Sequence, residues 1–173
     1  MLRSFIFITL SASACLAQIT RLPPSAFPEL PAPISAELAR RGCTIPQVPG
    51  IAGPHNVIHG SFAAPGRTDW AVLCSVNDTS SILIFWNGSP SNPASIESQN
   101  DAMRMQSDAQ GKMVYSRQIA IAGKAFILEH YKAYGGPKPP PIDHQGIDDR
   151  FVGKASEVQY FYNGKWLRLT GSD

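Results

Sequence analysis

The sequence predicts an α+β fold that is mostly antiparallel β, with about seven short strands and one or two short helices. Short apolar segments alternate with turn residues through the body of the chain. The last of them, residues 157–162, alternates in polarity and ends at Asn163-Gly164, a pair typical of a type I′ hairpin turn. An all-β sandwich is the alternative, because its strands are also short and separated by regularly spaced turns.

Length and composition favour one globular domain. The chain has 173 residues, a formal net charge of +2, 43% apolar residues and 16% charged residues. This composition is not that of a disordered chain, and the length is too short for two ordinary domains. Nucleic-acid binding normally needs a clustered basic face, which so small a charge does not indicate. We therefore expect a single domain over residues 34–173 and no nucleic-acid partner.

The amino-terminal segment, residues 1–17, predicts a secretory signal peptide. Arg3 provides a positive start, an apolar stretch follows, and cleavage is expected after Ala17. The apolar stretch is much shorter than the roughly 20 residues that span a bilayer. A lipoprotein-type cleavage that leaves Cys15 lipidated is the alternative. Both predict a periplasmic or secreted protein whose mature chain has no transmembrane segment.

The first part of the mature chain predicts a leader and a short helix. Residues 18–33 carry five prolines, which favour an extended conformation. Residues 35–41 are typical of a short helix, with Ser35 as the N-cap. Gly42 stands where a glycine commonly ends a helix.

Two cysteines outside the signal segment, Cys43 and Cys74, predict a disulfide. An even pair in an oxidising compartment is usually bridged. The chain-entropy estimate for such a loop is about 3–4 kcal/mol. The sequence has no Cys-x-x-Cys, so it lacks the main signal of thioredoxin-like chemistry and of zinc ribbons.

The body of the chain predicts strands joined by turns, with little helix. The predicted elements are strands at 56–62, 70–74 and 81–86, a short helix near 101–107, a hairpin of 113–121 and 124–130 across Gly123, a stiff proline-rich loop at 135–141, a helical turn within 142–151, and a hairpin of 157–162 and 165–169.

One stretch carries a recognisable pattern of loop and strands. It runs Gly60-Ser-Phe62-Ala-Ala-Pro-Gly66-Arg-Thr-Asp69 into an apolar strand, and a second apolar strand follows at 81–88. This pattern resembles an FG-GAP or VCBS-type repeat. In that family the acidic loop binds calcium and several repeats close a β-propeller.

The resemblance implies a strand–loop–strand unit rather than a calcium site. Ser61, Ala63 and Pro65 stand where the family has oxygen ligands, and calcium needs six to eight oxygens. A single copy cannot bury its faces as a propeller blade does. We therefore expect Asp69 to cap the turn.

Two histidine motifs are candidates for chemistry. His55 and His59 would share one face of a strand, so both imidazoles could approach one metal ion, although no third ligand stands nearby. His144 and Asp148 would share one face of a helix and could form an acid–base pair. In both cases an ordinary structural role is the alternative.

Aromatic side chains concentrate late in the chain. Tyr and Trp on one exposed face would form a contact surface for a protein or a carbohydrate, and core packing is the alternative. The candidate binding residues are Tyr131, Tyr134, Tyr160, Tyr162 and Trp166.

Common catalytic motifs are absent from the sequence. It has no P-loop, no dinucleotide-binding glycine pattern, no Gly-x-Ser-x-Gly and no His-Glu-x-x-His. We therefore predict an exported, non-enzymatic binding module of the cell envelope, without a cofactor, whose partner is a protein or a glycan. The alternative is a small hydrolase that uses His144 and Asp148.

Overall fold

The structure, a computed structural model, describes residues 19–173. This part of the chain holds two α-helices and twelve strands, and the strands form four antiparallel sheets. The mostly antiparallel α+β architecture predicted from the sequence is confirmed, with more strands than expected. The predicted signal peptide at 1–17 and the alternative lipidation of Cys15 lie outside the described residues.

The strands and helices follow one another in this order: β1 (Arg21–Leu22), α1 (Ala32–Arg40), β2 (Ile45–Pro46), β3 (Val57–Gly60), β4 (Asp69–Val76), β5 (Thr79–Phe85), β6 (Ala94–Asn100), β7 (Met105–Ser107), β8 (Met113–Tyr115), β9 (Arg117–Ala122), α2 (Lys124–Tyr134), β10 (Gly146–Phe151), β11 (Ala155–Tyr162) and β12 (Lys165–Thr170). Three short 3-10 helices lie at Pro24–Ala26, Trp86–Gly88 and Asp101–Arg104.

The amino-terminal sheet, with strand order β3-β4-β5-β6, is buried on both faces at its centre. Alternate residues of a strand point to opposite faces. On the outer face, Val72 of β4 packs in a core with Ile34 and Leu38 of α1. On the inner face, Leu73 packs in a second core that includes Ile147 of β10. This explains why β4 is apolar on both sides.

The carboxy-terminal sheet, with strand order β12-β11-β10-β9, lies against that inner face. Ile119 and Ile147 contribute to the core between the sheets. On the other face, Val158 and Leu169 pack with Ile127 of α2. The layers therefore run α1, amino-terminal sheet, carboxy-terminal sheet, α2.

The segment before α1 differs from the extended leader that the sequence predicts. A 3-10 turn forms at Pro24–Ala26, and the side chains of Phe27 and Leu30 are buried in the core under α1. The prolines limit the backbone, but the apolar residues between them still gain free energy by burial. This segment is part of the folded domain.

Helix α1 begins three residues earlier than predicted. It starts at Ala32 after Pro31, and Ser35 lies inside it rather than at the N-cap. Proline is tolerated in the first turn because the amide hydrogen it lacks would have no partner within the helix. The predicted C-terminal glycine is confirmed, since Gly42 has a φ of 73°.

The predicted disulfide between Cys43 and Cys74 is confirmed, with a Cα–Cα distance of 5.2 Å. It joins Cys43, three residues after the end of α1, to Cys74 in the second half of β4. Both side chains are buried in the core under α1. The bond therefore fixes the α1 layer to the amino-terminal sheet.

The strand predicted at 124–130 is wrong, because these residues form helix α2 with Gly123 at its N-cap. The apolar run Ala-Phe-Ile-Leu suits a helix or a strand, and periodicity cannot separate the two over so few residues. In the helix, Phe126 and His130 stand one turn apart, with ring centroids 4.0 Å from each other.

Two further predictions are wrong in the polar parts of the chain. The helical turn predicted within 142–151 is strand β10. The edge strand β6, over Ala94–Asn100, was not predicted. The helix predicted near 101–107 is a 3-10 turn followed by β7. An edge strand such as β6 buries few side chains, so its sequence can be largely polar. The alternation of apolar and polar residues that predicts a strand is then weak.

The last hairpin is confirmed. Strands β11 and β12 pair with Tyr162 opposite Lys165. Asn163 and Gly164 have φ values of 49° and 75°, as a type I′ turn requires. Within residues 19–173 no helix is both long and apolar enough to cross a bilayer.

Candidate functional site

The two histidines proposed as metal ligands serve structural roles. The amide of Val48 donates to Nε2 of His55 at 2.7 Å, and Nδ1 of His55 donates to the carbonyl of Gly53 at 3.1 Å. Both nitrogens of His55 are therefore used. The ring of His59 packs on Trp70, with centroids 4.9 Å apart. Among the described residues no group of three or more His, Cys, Asp or Glu could hold a metal ion.

His144 and Asp148 contact different partners. The His144 ring stacks on Tyr160, with centroids 4.4 Å apart and planes 5° from parallel, and its Nε2 lies 3.8 Å from Asp143 Oδ1. Asp148 is fully buried and accepts a hydrogen bond from Nε of Arg150 at 2.6 Å. The shared helical face on which the acid–base pair depended does not exist, because Asp148 lies in strand β10.

The five candidate aromatic residues do not form one surface. Tyr160 is fully buried, and Tyr162 packs in the core under α2. Trp166 belongs to the opposite face of the sheet, in the core between the sheets. Tyr134 is 52% exposed at the end of α2, and Tyr131 is half-buried there. Because neighbouring strand residues point to opposite faces, the late aromatics are distributed over two layers.

Asp69 caps the loop, as the sequence predicts. Its Oδ2 accepts hydrogen bonds from the amides of Phe62 and Ala63 at 3.1 and 2.9 Å, and its Oδ1 accepts one from the amide of Asn87 at 2.7 Å. The carboxylate is fully buried. It therefore joins the loop after β3 to the end of β5.

A different region has the geometry of a binding site. A cleft of about 500 Å³ opens between β6 of the amino-terminal sheet and strands β10, β11 and β12 of the other sheet. We call it the inter-sheet cleft. Its lining includes Gln99, Arg104, Phe151, Glu157 and Arg168.

A buried ion pair lies beneath the inter-sheet cleft. Arg117 of β9 is fully buried, and its Nε and Nη2 donate to the two carboxylate oxygens of Asp149, each at 2.9 Å. The same guanidinium crosses to the other sheet, where it donates to the carbonyls of Ser80 at 3.1 Å and Glu97 at 2.7 Å. Bidentate pairing and full hydrogen bonding hold this group in one orientation.

Arg104 extends this network to the cleft wall. Its Nε donates to Gln99 Oε1 at 2.6 Å, and its Nη2 donates to Asp149 Oδ2 at 3.4 Å. Its guanidinium carbon lies 5.7 Å from the centre of the Phe151 ring. Next to it, Met103 is 72% exposed, which places an apolar side chain at the edge of the cleft.

The rim of the inter-sheet cleft is closed by an ion pair between the two edge strands. Nη2 of Arg168 on β12 donates to both carboxylate oxygens of Glu97 on β6, each at 3.0 Å, and its Nε lies 3.1 Å from Glu157 Oε2. The hydrogen bond to Glu97 is the main reason that the pKa of Arg168 is raised.

The backbone of Glu97 is unusual. Its φ is 51°, a value that non-glycine residues adopt at a cost. It lies in the part of β6 where the pairing with β5 shifts register, as a β-bulge does. The bond from Arg117 to the Glu97 carbonyl stabilises this conformation.

Sequence reasoning missed this network, although part of it left a signal. In strand β9, Arg117 lies two residues before the buried Ile119 and therefore on the same face. In β10, Asp149 shares a face with the buried Ile147 in the same way. A charged residue on the apolar face of a strand needs a buried partner of opposite charge. The Glu97–Arg168 pair left no such signal, because 71 positions separate the two residues.

The arrangement provides a polar cleft with fixed hydrogen-bonding groups beside an aromatic ring. Each of the cleft carboxylates, those of Glu97, Asp149 and Glu157, lies against an arginine. No family model, curated protein or solved structure matches the chain.

Proposed function

We propose that the protein is an exported binding module of the cell envelope that holds its ligand in the inter-sheet cleft. The observation that carries this proposal is the orientation of the cleft side chains. Arg117, Asp149 and Arg104 are linked by hydrogen bonds, so these groups do not have to be ordered when a ligand arrives. Preorganisation of this kind lowers the entropic cost of binding.

Binding fits this cleft better than catalysis. A general base or nucleophile needs a partner that activates it toward a substrate. The cleft carboxylates instead lie against arginines, which hold them in place as hydrogen-bond acceptors. Such groups orient a ligand without reacting with it.

Export is supported by the disulfide and by the signal-like amino terminus. Disulfides persist in oxidising compartments such as the periplasm or the extracellular space. Cys43 and Cys74 are bonded, and residues 1–17 have the pattern of a secretory signal.

The proposal is tested by thermal unfolding of residues 18–173, with the disulfide intact, against a panel of neutral and acidic oligosaccharides, polar peptides and divalent metals. A ligand at 100 times its dissociation constant adds about 2.7 kcal/mol to the stability of the folded state. For a domain of this size that raises Tm by about 5–10 °C.

A variant that fills the cleft assigns any shift to this site. Ala155 is exposed, begins β11 and lines the cleft, so Ala155→Trp should block binding and leave the fold intact. Lys165→Gln is the matched control, because Lys165 is exposed on β12 but does not line the cleft. A ligand-induced shift that survives Ala155→Trp would place the site elsewhere and reject the proposal, as would no shift with any compound.

A further inference from the structure

We infer that the ligand of the inter-sheet cleft is a neutral glycan, held with one sugar ring against Phe151 and its hydroxyl groups on Gln99, Glu157 and Arg168. This inference rests on the proposed function and assigns its ligand class. Three features of the cleft support it: its charge balance, its unused hydrogen-bonding atoms and its aromatic ring, Phe151.

The charges of the cleft cancel. Three arginines face three carboxylates in and directly beneath it, and each carboxylate lies within 3.4 Å of an arginine nitrogen. A strongly charged ligand would have to break one of these pairs and leave a partner unmatched, which is costly where the groups are buried. A neutral ligand keeps every pair. The charged residues are Glu97, Arg104, Arg117, Asp149, Glu157 and Arg168.

Several polar atoms of the cleft residues have no partner within residues 19–173. Nη1 of Arg104, Nη1 of Arg168 and Nε2 of Gln99 form no hydrogen bond there, although the same side chains are oriented by their other atoms. Oε1 of Glu157 is also without a partner, since only Oε2 lies against Arg168. A hydroxyl both donates and accepts, so one sugar hydroxyl can join a guanidinium to a carboxylate.

A buried amide lies on the strand position opposite the cleft residue Arg168. The side-chain nitrogen of Gln159 is buried and lacks a hydrogen-bond partner in the described chain. Gln159 pairs directly with Arg168 across β11 and β12, so both side chains belong to the inner face of the sheet. Such a donor is uncommon in native proteins, and a ligand hydroxyl that enters beside Arg168 would supply its acceptor.

Phe151 supplies the apolar part of the site. Its ring is half-buried, with the guanidinium carbon of Arg104 5.7 Å and the ammonium of Lys154 4.5 Å from the ring centre. Lys154 is exposed, so its flexible side chain can move aside at little cost. A pyranose presents C–H groups on one face and hydroxyls around its edge. An aromatic ring beside polar groups matches both.

The edge strand argues against a peptide that binds by adding a strand. Such binding needs a regular row of free backbone groups. The bulge at Glu97 interrupts that row, and the Glu97 carbonyl already accepts a hydrogen bond from Arg117. Arg168 also crosses from β12 to Glu97. Bulges and charges at an edge are the usual obstacles to strand addition.

The test is an amide-NMR titration of oxidised residues 18–173 with neutral tetrasaccharides of glucose, mannose, galactose and N-acetylglucosamine. We expect at least one to give saturable shifts centred on the cleft, with the largest near Gln99 and Phe151. Because the ligand is uncharged, its Kd should change by less than about twofold between about 0.05 and 0.5 M salt.

Two variants test the assigned contacts. Gln99→Ala should weaken binding about tenfold, the effect of one lost hydrogen bond that leaves a polar partner unpaired. Phe151→Leu should weaken it by a similar factor while keeping an apolar residue at the position. Lys165→Gln should leave Kd unchanged. Amide spectra of each variant outside the cleft report whether the fold is retained.

The remaining outcomes separate this inference from the proposed function. If a polar peptide shifts the cleft amides and no tetrasaccharide does, the glycan assignment is overturned and the binding module stands. Binding of an acidic tetrasaccharide such as tetragalacturonate in place of the neutral ones, with steep salt dependence, would overturn neutrality. If no compound moves the cleft amides, both proposals are rejected.

Discussion

The two large sheets pack face to face, and side chains join them differently at their two edges. At the edge of β3 and β9, uncharged side chains bond to the backbone: Asn56 accepts from the amide of Ile119 at 2.9 Å and donates to the carbonyls of Pro46 and Arg117 at 2.7 and 3.2 Å. We call this the sealed edge. At the edge of β6 and β12, charged side chains pair across the gap at 3.0 Å and leave the inter-sheet cleft.

The difference shows how one sandwich can combine a rigid edge with an accessible one. The buried side-chain amide of Asn56 satisfies the hydrogen bonding of three backbone groups, so the sealed edge contributes to stability. The ion pair at the cleft is exposed to solvent on the arginine side, where Arg168 is 58% exposed. Exposed pairs add little stability, so this edge is free to serve recognition.

The largest expected effect is on the buried pair beneath the cleft. Arg117→Met leaves Asp149 buried with only Arg104 nearby, at 3.4 Å, and should lower the free energy of unfolding by about 3–5 kcal/mol. Urea denaturation measures this loss. The double variant Arg117→Met/Asp149→Leu removes both charges and should recover most of the stability. An equal loss in both variants would mean that the ion pair is not the source of the effect.

At the sealed edge, Asn56→Ala should cost about 3 kcal/mol. It leaves the Ile119 amide without its acceptor, and it places alanine at a φ of 74°, which is unfavourable for residues with a side chain. Asn56→Gly removes the same hydrogen bonds without the strain, so it should be about 1 kcal/mol more stable than Asn56→Ala. Equal stabilities would show that backbone conformation contributes nothing here.

The stability of the core between the sheets should depend on alkaline pH through Tyr115. Burial raises the pKa of Tyr115 from 10.0 to about 12, since the charged form is poorly solvated there. A raised pKa favours the protonated folded state, so this contribution is complete below pH 10 and is lost as pH rises from 10 to 12. The loss is about 3 kcal/mol, because one pKa unit corresponds to about 1.4 kcal/mol. Tyr115→Phe should remove this part of the pH dependence of the unfolding free energy, and an unchanged alkaline slope would contradict the assignment.

The smallest effect on stability is expected at the cleft rim. Arg168→Gln breaks the pairs with Glu97 and Glu157, yet it should change the unfolding free energy by less than about 1 kcal/mol. Ligand affinity should fall in the same variant, because Arg168 lines the cleft. A large loss of stability would remove the contrast between the two edges.

The parts of the fold that were predicted correctly depend on neighbouring residues. The final hairpin follows from Asn163-Gly164 and the alternating strand before it. The disulfide follows from an even pair of cysteines. By contrast, α2 was predicted as a strand because its apolar run is short, and β6 was missed because an edge strand is largely polar.

The cleft could not be assembled from the sequence, because its parts come from distant positions. Arg117 and Asp149 are 32 residues apart, and Glu97 and Arg168 are 71 apart. The positions of Tyr160 and Trp166 on opposite faces follow from strand phase, but the sequence does not indicate which face each layer covers. The packing of the two sheets is what leaves a cleft at the edge of β6 and β12, whereas the hydrogen bonds of a buried amide join the sheets at the sealed edge of β3 and β9.

Strand β1 connects two parts of the molecule that are distant in sequence. Strand β1 pairs with β2, and β2 lies against β4 on the β3 side, at the sealed edge. The cleft opens at the opposite edge, beside β6. Arg21 of β1 nevertheless reaches Asp101 at 2.8 Å, two residues before Met103 of the cleft wall. The first strand of the described chain therefore links the sealed edge to the turn that carries Met103 and Arg104.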